Sequence, residues 1–231
     1  MQKLLLSIIL ICSTIFTTSC SFIPRIGCPP NTIIEWIDML QINDIKYEAN
    51  YEATKSIKKL DIGKQVGEIT YTMSDKACSG HKMKNGHAAF LTIGTPVYML
   101  NGYKSTYRVV ADNKIYEVNT NNKTKYVSDL YDIKNKVQKI SIESDYDSSH
   151  VSDFSQNATS QFTKEFLKLK LLREKQIEKY AKNLQDSDRI FLRVHLLDGS
   201  SFRIIYWTES NITSPWAFGN DTLKNIILSQ K

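Results

Sequence analysis

Cys78, His81 and His87 lie within ten residues of one another, and thiolate and imidazole are the groups that hold zinc. Their spacing, C-x-x-H-x-x-x-x-x-H, supplies three donors and no obvious fourth, and a disulfide at Cys78 would remove one of the three. An exposed loop with incidental histidines is the better reading. Asp145, Asp147, Ser149 and Asp153 offer oxygens to calcium. An EF-hand loop, however, needs Gly at its sixth position and Glu at its twelfth, where this chain has His150 and Gln156. No metal or other cofactor is therefore expected. Acyl transfer lacks a signature too, because no G-x-S-x-G, H-E-x-x-H or S-x-x-K set with its partners occurs. His195 precedes Asp198 closely, but a strand histidine beside a turn aspartate is usually structural. A carboxylate pair for sugar chemistry leaves no mark in a sequence, since the separation that defines it exists only in the fold. Trp207 and Trp216, around Pro215, are the candidate ligand surface: two rings that make an aromatic platform for a sugar, or else pack a hinge or a core edge. No catalytic residue is assigned.

The N-terminus supplies the compartment. Lys3 gives a short positive start, Leu4 to Phe16 is almost wholly apolar, and Thr17, Thr18 and Ser19 lead into Cys20. Such a run is too short for a comfortable membrane span, which needs about 20 residues, and it has the layout of a secretory signal. The stretch resembles the lipobox of bacterial lipoproteins, with Thr17 where that family usually has Leu, Val or Ile. The resemblance implies that residues 1–19 are a signal peptide, that Cys20 is lipidated (diacylglyceryl, with palmitate-type chains) and that the protein sits on the outer face of the cell membrane. A plain cleaved signal is the alternative. Two or three acyl chains anchor stably because each buried methylene contributes about 0.8 kcal/mol. Residues 20–31 carry three of the five prolines and read as a lipid-anchored tether.

Cysteine usage follows from this. Cys12 leaves with the signal and Cys20 takes the lipid, so Cys28 and Cys78 remain as a candidate disulfide. Closing a loop of roughly 50 residues would stabilise by about 4 kcal/mol on the chain-entropy model. Two free thiols are the other reading. The formal charge of +6 is a mild excess that suits an anionic membrane surface or polymer. It is not clustered with interleaved aromatics, so a nucleic-acid partner is not expected.

About 210 residues remain for folding, with 42% hydrophobic and 23% charged composition over the whole chain, enough for one large domain or two small ones. Residues 32–120 read as a β-rich domain. Ile33–Ile42 and IKYEANYE flank an Asn43-Asp44 turn, residues 54–65 read as a loop, and Val66–Met73 alternates with period two. Short strands follow near Ala88–Leu91, Pro96–Leu100, Thr106–Ala111 and Ile115–Asn119. Their spacing of about ten residues suggests a small antiparallel barrel or sandwich. The run G-x-A-A-F-L-x-x-G-T-P-V-Y at Gly86–Tyr98, the turn Asn101–Tyr103 and the Trp36–Tyr47 hairpin resemble an uncharacterised group of lipoproteins of low-GC Gram-positive bacteria. That resemblance covers residues 34 to about 118 and implies an address and a fold, with no activity.

Residues 121–231 read as an α+β domain of strand, helix, hairpin and helix. Val137–Glu143 is the strand, and residues 145–157 read as a polar loop. Phe162, Phe166, Leu169, Ile177, Tyr180 and Leu184 recur at spacings of three and four over Ser160–Gln185, apart from Arg173 taking one turn of the stripe, with Ser160 as the cap. Lys164, Lys168, Lys170, Arg173, Lys175, Lys179 and Lys182 lie on its outer face against Glu165, Glu174 and Glu178, which makes it a docking surface for anionic lipid or polymer or simply a solvated helix. RIFLRVHL and SFRIIYWT flank a Leu197-Asp198-Gly199 turn, and Asp221–Ser229 is a second helix. The sequence as a whole predicts an α+β, membrane-anchored extracytoplasmic lipoprotein acting as a non-catalytic binding or interaction module at the cell envelope. Its expected partners are the membrane, through the anchor, and an envelope protein or anionic polymer. The alternative is a wall-facing hydrolase or metal-dependent enzyme; a third reading is a structural assembly component.

Overall fold

The computed structural model describes residues 35–231, except 58, 75, 79, 183 and 185–187. The signal, Cys20, the tether and Cys28 therefore lie outside the described residues. The fold is α+β, as the sequence predicts, with its strands in two sheets of eight and six.

Turn chemistry builds the first sheet. Strands β1 (Met39–Ile42) and β2 (Ile45–Ala49) form a two-residue hairpin with Ile42 opposite Ile45. Asn43 and Asp44 both adopt positive φ, 53° and 66°, the mirror-image turn that matches strand twist. Strands β7 (Arg108–Ala111) and β8 (Lys114–Asn121) repeat the device through Asp112 and Asn113. Adding β3 (Ile62–Glu68), β4 (Tyr71–Thr72), β5 (His87–Ala88) and β6 (Pro96–Leu100) gives the order β3-β6-β7-β8-β2-β1-β5-β4. The sheet curls until β3 approaches β1. A Cβ at Gly67 would lie 2.8 Å from Ile42 Cδ1, so the approach depends on the missing side chain.

The expected strand Val66–Met73 is broken after Glu68. There the Ile69 N–H donates to the Thr95 carbonyl (2.9 Å) and the Thr70 N–H to the Gly86 carbonyl (2.7 Å), so the chain changes partners while Ile69 and Met73 stay buried. The expected loop 54–65 holds the end of helix α1 (Tyr51–Ser56), capped by Asn50, and the start of β3.

The second sheet is antiparallel throughout. Its strands are β9 (Val137–Glu143), β10 (His150–Asp153), β11 (Arg189–Leu196), β12 (Ser201–Trp207), β13 (Ile212–Thr213) and β14 (Ala217–Phe218), in the order β10-β9-β11-β12-β13-β14. β10 occupies part of the expected polar loop: its own side chains are mostly exposed, so it owes its state to pairing with β9. Helix α2 (Val127–Leu130) links the two sheets in sequence. Helices α3 (Gln156–Lys168) and α5 (Asp221–Leu228) bury Phe162, Phe166, Leu223, Ile226 and Ile227. Those side chains join Leu192, Val194 and Ile204 of the second sheet and Leu40, Tyr47 and Val109 of the first in one continuous core.

The single helix expected over Ser160–Gln185 is two helices, α3 and α4 (Glu174–Ala181). Between them the chain runs extended and bonds outward. The Val127 N–H donates to the Leu169 carbonyl (2.9 Å), and the Leu171 and Leu172 N–H groups donate to the carbonyls of Lys125 (2.9 Å) and Trp216 (2.7 Å). These long-range bonds outweigh a helical period that continues in sequence, with Arg173 taking one turn of the stripe. The cap is Ser155, whose Oγ accepts from the Ala158 N–H at 3.1 Å; Ser160 is an exposed residue one turn later.

A buried charge ties the sheets together. Arg108 on β7 is 0% exposed. It pairs with Glu117 on β8, reaches Asp198 in the β11–β12 turn at 3.1 Å, and donates to Ser200 Oγ at 2.8 Å. The rings of Tyr103 and Tyr107 flank it, with centroids 4.6 and 5.0 Å from the guanidinium carbon, a favourable position for a desolvated cation.

Candidate functional site

The loop from β12 to α5 is held from both sides. Asn211 sits at φ 51°; its Oδ1 accepts from the Tyr206 hydroxyl (2.8 Å) and its Nδ2 donates to the Gly219 carbonyl (3.0 Å). Ser214 Oγ accepts from the Ile205 N–H at 2.9 Å, and the Ser214 N–H donates to the Ile205 carbonyl at 2.8 Å. After the cis Ser214–Pro215 bond comes Trp216 at φ 72°, a left-handed conformation that is an outlier for a bulky residue. Both of its backbone groups are engaged: the N–H donates to the Thr213 carbonyl (2.8 Å), and the carbonyl accepts from Leu172 (2.7 Å). Backbone held this way costs on the order of 1–3 kcal/mol and persists only where its surroundings over-determine it.

The two candidate tryptophans are brought together. Their rings stack with centroids 5.6 Å apart and planes 14° apart. Trp207 is 8% exposed and belongs to a small cluster with Leu172, Leu184 and Ile212. Its indole N–H finds no acceptor among the described residues. Trp216 is half-buried and lines two adjoining clefts of about 650 and 960 Å³. The clefts share Asn119, Thr120, Ile177, Pro215 and Trp216, so one groove passes over the tryptophan. Trp207 is thus the support beneath, and Trp216 the part of the pair that reaches the groove.

The groove walls are polar and nearly balanced in charge. At one end stand Asn121, Asn122, Thr124, Arg173, Glu174 and Glu178. At the other stand Glu48, Glu52, Glu117, Arg193 and Arg203, and each of these acids has a partner. Glu48 accepts from Asn119 at 2.9 Å, Glu52 pairs with Arg193, and Glu117 pairs with Arg108. Behind the arginines, Glu143 receives Arg193 Nε at 2.6 Å and Arg203 Nε at 2.8 Å. Burial pushes the Glu143 carboxyl up, but the hydrogen bonds and charges of Arg193 and Arg203 outweigh it and hold the group below the usual carboxylate range. Burial also pushes Glu117 up, against the opposing pull of Arg108. Fixed amides, hydroxyls and paired ions beside an aromatic face suit a ligand rich in hydroxyls and low in net charge.

The other candidates are dispersed. Cys78 is disulfide-bonded, so its sulfur is not available as a thiolate ligand; the Cys28 half of the expected pair lies outside the described residues. Within residues 76–81 the His81 N–H donates to the Cys78 carbonyl at 2.9 Å. His87 opens β5, with its ring 4.8 Å from that of Tyr71. Among the described residues no group of three or more His, Cys, Asp or Glu is placed to hold a metal ion. Asp147 turns back to the Ser149 N–H (3.0 Å), and Asp153 pairs with Lys139 and His150, so the oxygens proposed for calcium face their own loop and its neighbours. His195 meets Ser141 Oγ at 2.9 Å while Asp198 belongs to the Arg108 network; the two do not form a dyad.

Sequence reasoning missed Asn119, Thr120 and Ile177, which share the groove with Trp216. They come from β8 and α4, far from the tryptophans in sequence, and an exposed polar strand end carries no signal of its own. Comparison with protein-family models, curated proteins and solved structures finds no match. No helix among the described residues is long and apolar enough to cross a membrane.

Proposed function

We propose that this chain is a lipid-anchored extracytoplasmic lipoprotein whose folded part is a non-catalytic binding module, taking a hydroxyl-rich, weakly charged envelope ligand such as a glycan strand in the groove over Trp216. The observation that carries the ligand reading is Trp216 itself. A strained aromatic, backed by a second indole and fixed through both backbone groups, stands where two clefts meet. Strain of that kind points toward function when it lies in a cleft, and a rigid ring engages a sugar face with little loss of side-chain freedom. The anchor rests on the sequence ending in Cys20, and the envelope as the source of the ligand rests on that anchor.

Two measurements test this reading. Fatty-acid labelling of the expressed protein should be lost in Cys20→Ser. Co-sedimentation of the full chain with insoluble cell-wall glycan should be saturable and should fall in Trp216→Ala. Glycan cleavage that disappears in Glu117→Gln would replace binding by the hydrolase reading, because Glu117 is the cleft carboxyl that burial pushes up.

A further inference from the structure

A third cleft, of about 1060 Å³, lies between α3 and the segment running from residue 126 to residue 138. Its character is unlike that of the Trp216 groove. Lys104, Lys134, Lys164 and Lys168 line it, together with the hydroxyl-bearing Ser128 and Thr163. Asp132 is the one carboxylate on its wall.

The acids around this cleft are already engaged. Asp132 binds Lys136 Nζ at 2.6 Å and accepts the Lys104 N–H at 3.0 Å. Burial pushes the Asp132 carboxyl up, and those two lysines more than offset it, so it stays ionised and matched. Asp129 accepts the N–H groups of Lys125 and Tyr126, both at 3.0 Å. Glu165 takes Lys168 at 2.7 Å. Lys104, Lys134 and Lys164 are left with no salt bridge among the described residues, and all three are exposed. They come from three separate segments: the β6–β7 connection, the loop after α2, and α3. Their convergence is a property of the fold and not of one basic helix face.

We propose that this cleft binds the phosphoryl groups of a linear anionic polymer. Three exposed ammonium groups free of salt bridges among the described residues supply charge, and ammonium and hydroxyl groups are the donors a phosphate takes. The concavity favours a chain over the flat surface of a bilayer. The site shares only Tyr131 with the Trp216 groove and stands or falls independently of it.

The test uses the full chain in detergent and soluble linear polyphosphate, with binding followed by calorimetry at several salt concentrations. Lys104→Gln, Lys134→Gln and Lys164→Gln are combined in one variant. A control removes the same charge elsewhere, through Lys175→Gln, Lys179→Gln and Lys182→Gln. All six are exposed positions, and thermal melts should show both variants folded. The proposal expects the cleft variant to bind about tenfold more weakly, the effect of three exposed charge contacts of ordinary strength, and the control to stay within about twofold. Equal loss in both variants would reduce the effect to net charge and overturn the site. Binding to phosphatidylglycerol vesicles without binding to polyphosphate would overturn the polymer in favour of a membrane contact. No binding to either overturns the proposal outright.

Discussion

Replacing Arg108 by Met should be among the most destabilising single changes in the folded core. The side chain is 0% exposed, and its removal strands Glu117 and Asp198, strips Ser200 Oγ of a donor, and leaves the Tyr107 face without its cation. Breaking a buried ion pair from one side costs about 3–5 kcal/mol, because the remaining charge is left desolvated and unmatched. That is a large share of the roughly 5–15 kcal/mol typical of a whole domain. For a chain of this size it corresponds to a fall in Tm of about 6–20 °C. Urea unfolding followed by circular dichroism should show the midpoint fall with little change in slope. Adding Glu117→Gln to Arg108→Met should recover part of the loss, so that the double variant is more stable than the sum of the singles by about 0.5–3 kcal/mol.

The pH dependence of the same variant fixes the cause. With the guanidinium gone, burial acts on Glu117 against the Asn50 hydrogen bond and no longer against Arg108, and its folded pKa moves further above the unfolded value. A carboxyl raised in this way destabilises when ionised, so Arg108→Met should gain stability relative to the wild type as pH falls from about 7 toward 5. A loss below about 1 kcal/mol at neutral pH, or a pH profile parallel to that of the wild type, would refute the reasoning.

Gly67→Ala should cost about 1–3 kcal/mol by overpacking, since its Cβ would stand 2.8 Å from Ile42 Cδ1 and 2.9 Å from Ile42 Cγ2; thermal melts of the single variant and of Gly67→Ala with Ile42→Val check it, the second recovering part of the loss. Asn211→Ala should cost about 1–3 kcal/mol by orphaning the Tyr206 hydroxyl and the Gly219 carbonyl, and should weaken ligand binding without touching the groove. Stability should fall in acid in two windows. Burial, with Lys139 and Arg193 nearby, lowers the His195 pKa, so the unfolded chain takes up that proton first and stability declines as pH drops below about 6.5; His195→Gln should flatten this step in a urea titration. Burial raises Asp198, but Ser200, Tyr103 and Arg108 lower it further; its contribution is therefore complete above the ordinary carboxylate value and lost as pH falls below about 4, a step that Asp198→Asn should remove.

Local chemistry was the legible part of the fold. Asn43-Asp44 and Gly199 announce their turns because few residues accept positive φ, and the hairpin read at RIFLRVHL and SFRIIYWT is present with Ile190, Leu192, Val194 and Leu196 buried. What failed was decided at long range. The stripe Phe162, Phe166, Leu169, Ile177 continues in sequence past Lys168, yet the segment beyond it bonds to Lys125 and Trp216 and cannot stay helical. Arg108 reads as one basic residue beside an apolar run; its partner Asp198 is 90 positions away, and no pattern in either segment foretells it. The tryptophan pair was visible as residue types and spacing, but the groove was not, since its walls come from β2, β8, β12 and α4. The three cleft lysines were equally hidden. Lys164 was read on a helix face, and nothing in sequence joins it to Lys104 and Lys134.

The binding claim is tested most directly by the indole pair. With Trp36 replaced by Phe, fluorescence reports Trp207 and Trp216 alone, and the protein can be titrated with soluble glycan fragments released from the cell wall. The account predicts a saturable change that Trp216→Ala weakens by tenfold or more, on the scale of a rigid aromatic anchor, while the fold stays intact by circular dichroism. A flat titration, or saturation that survives Trp216→Ala unchanged, would contradict it.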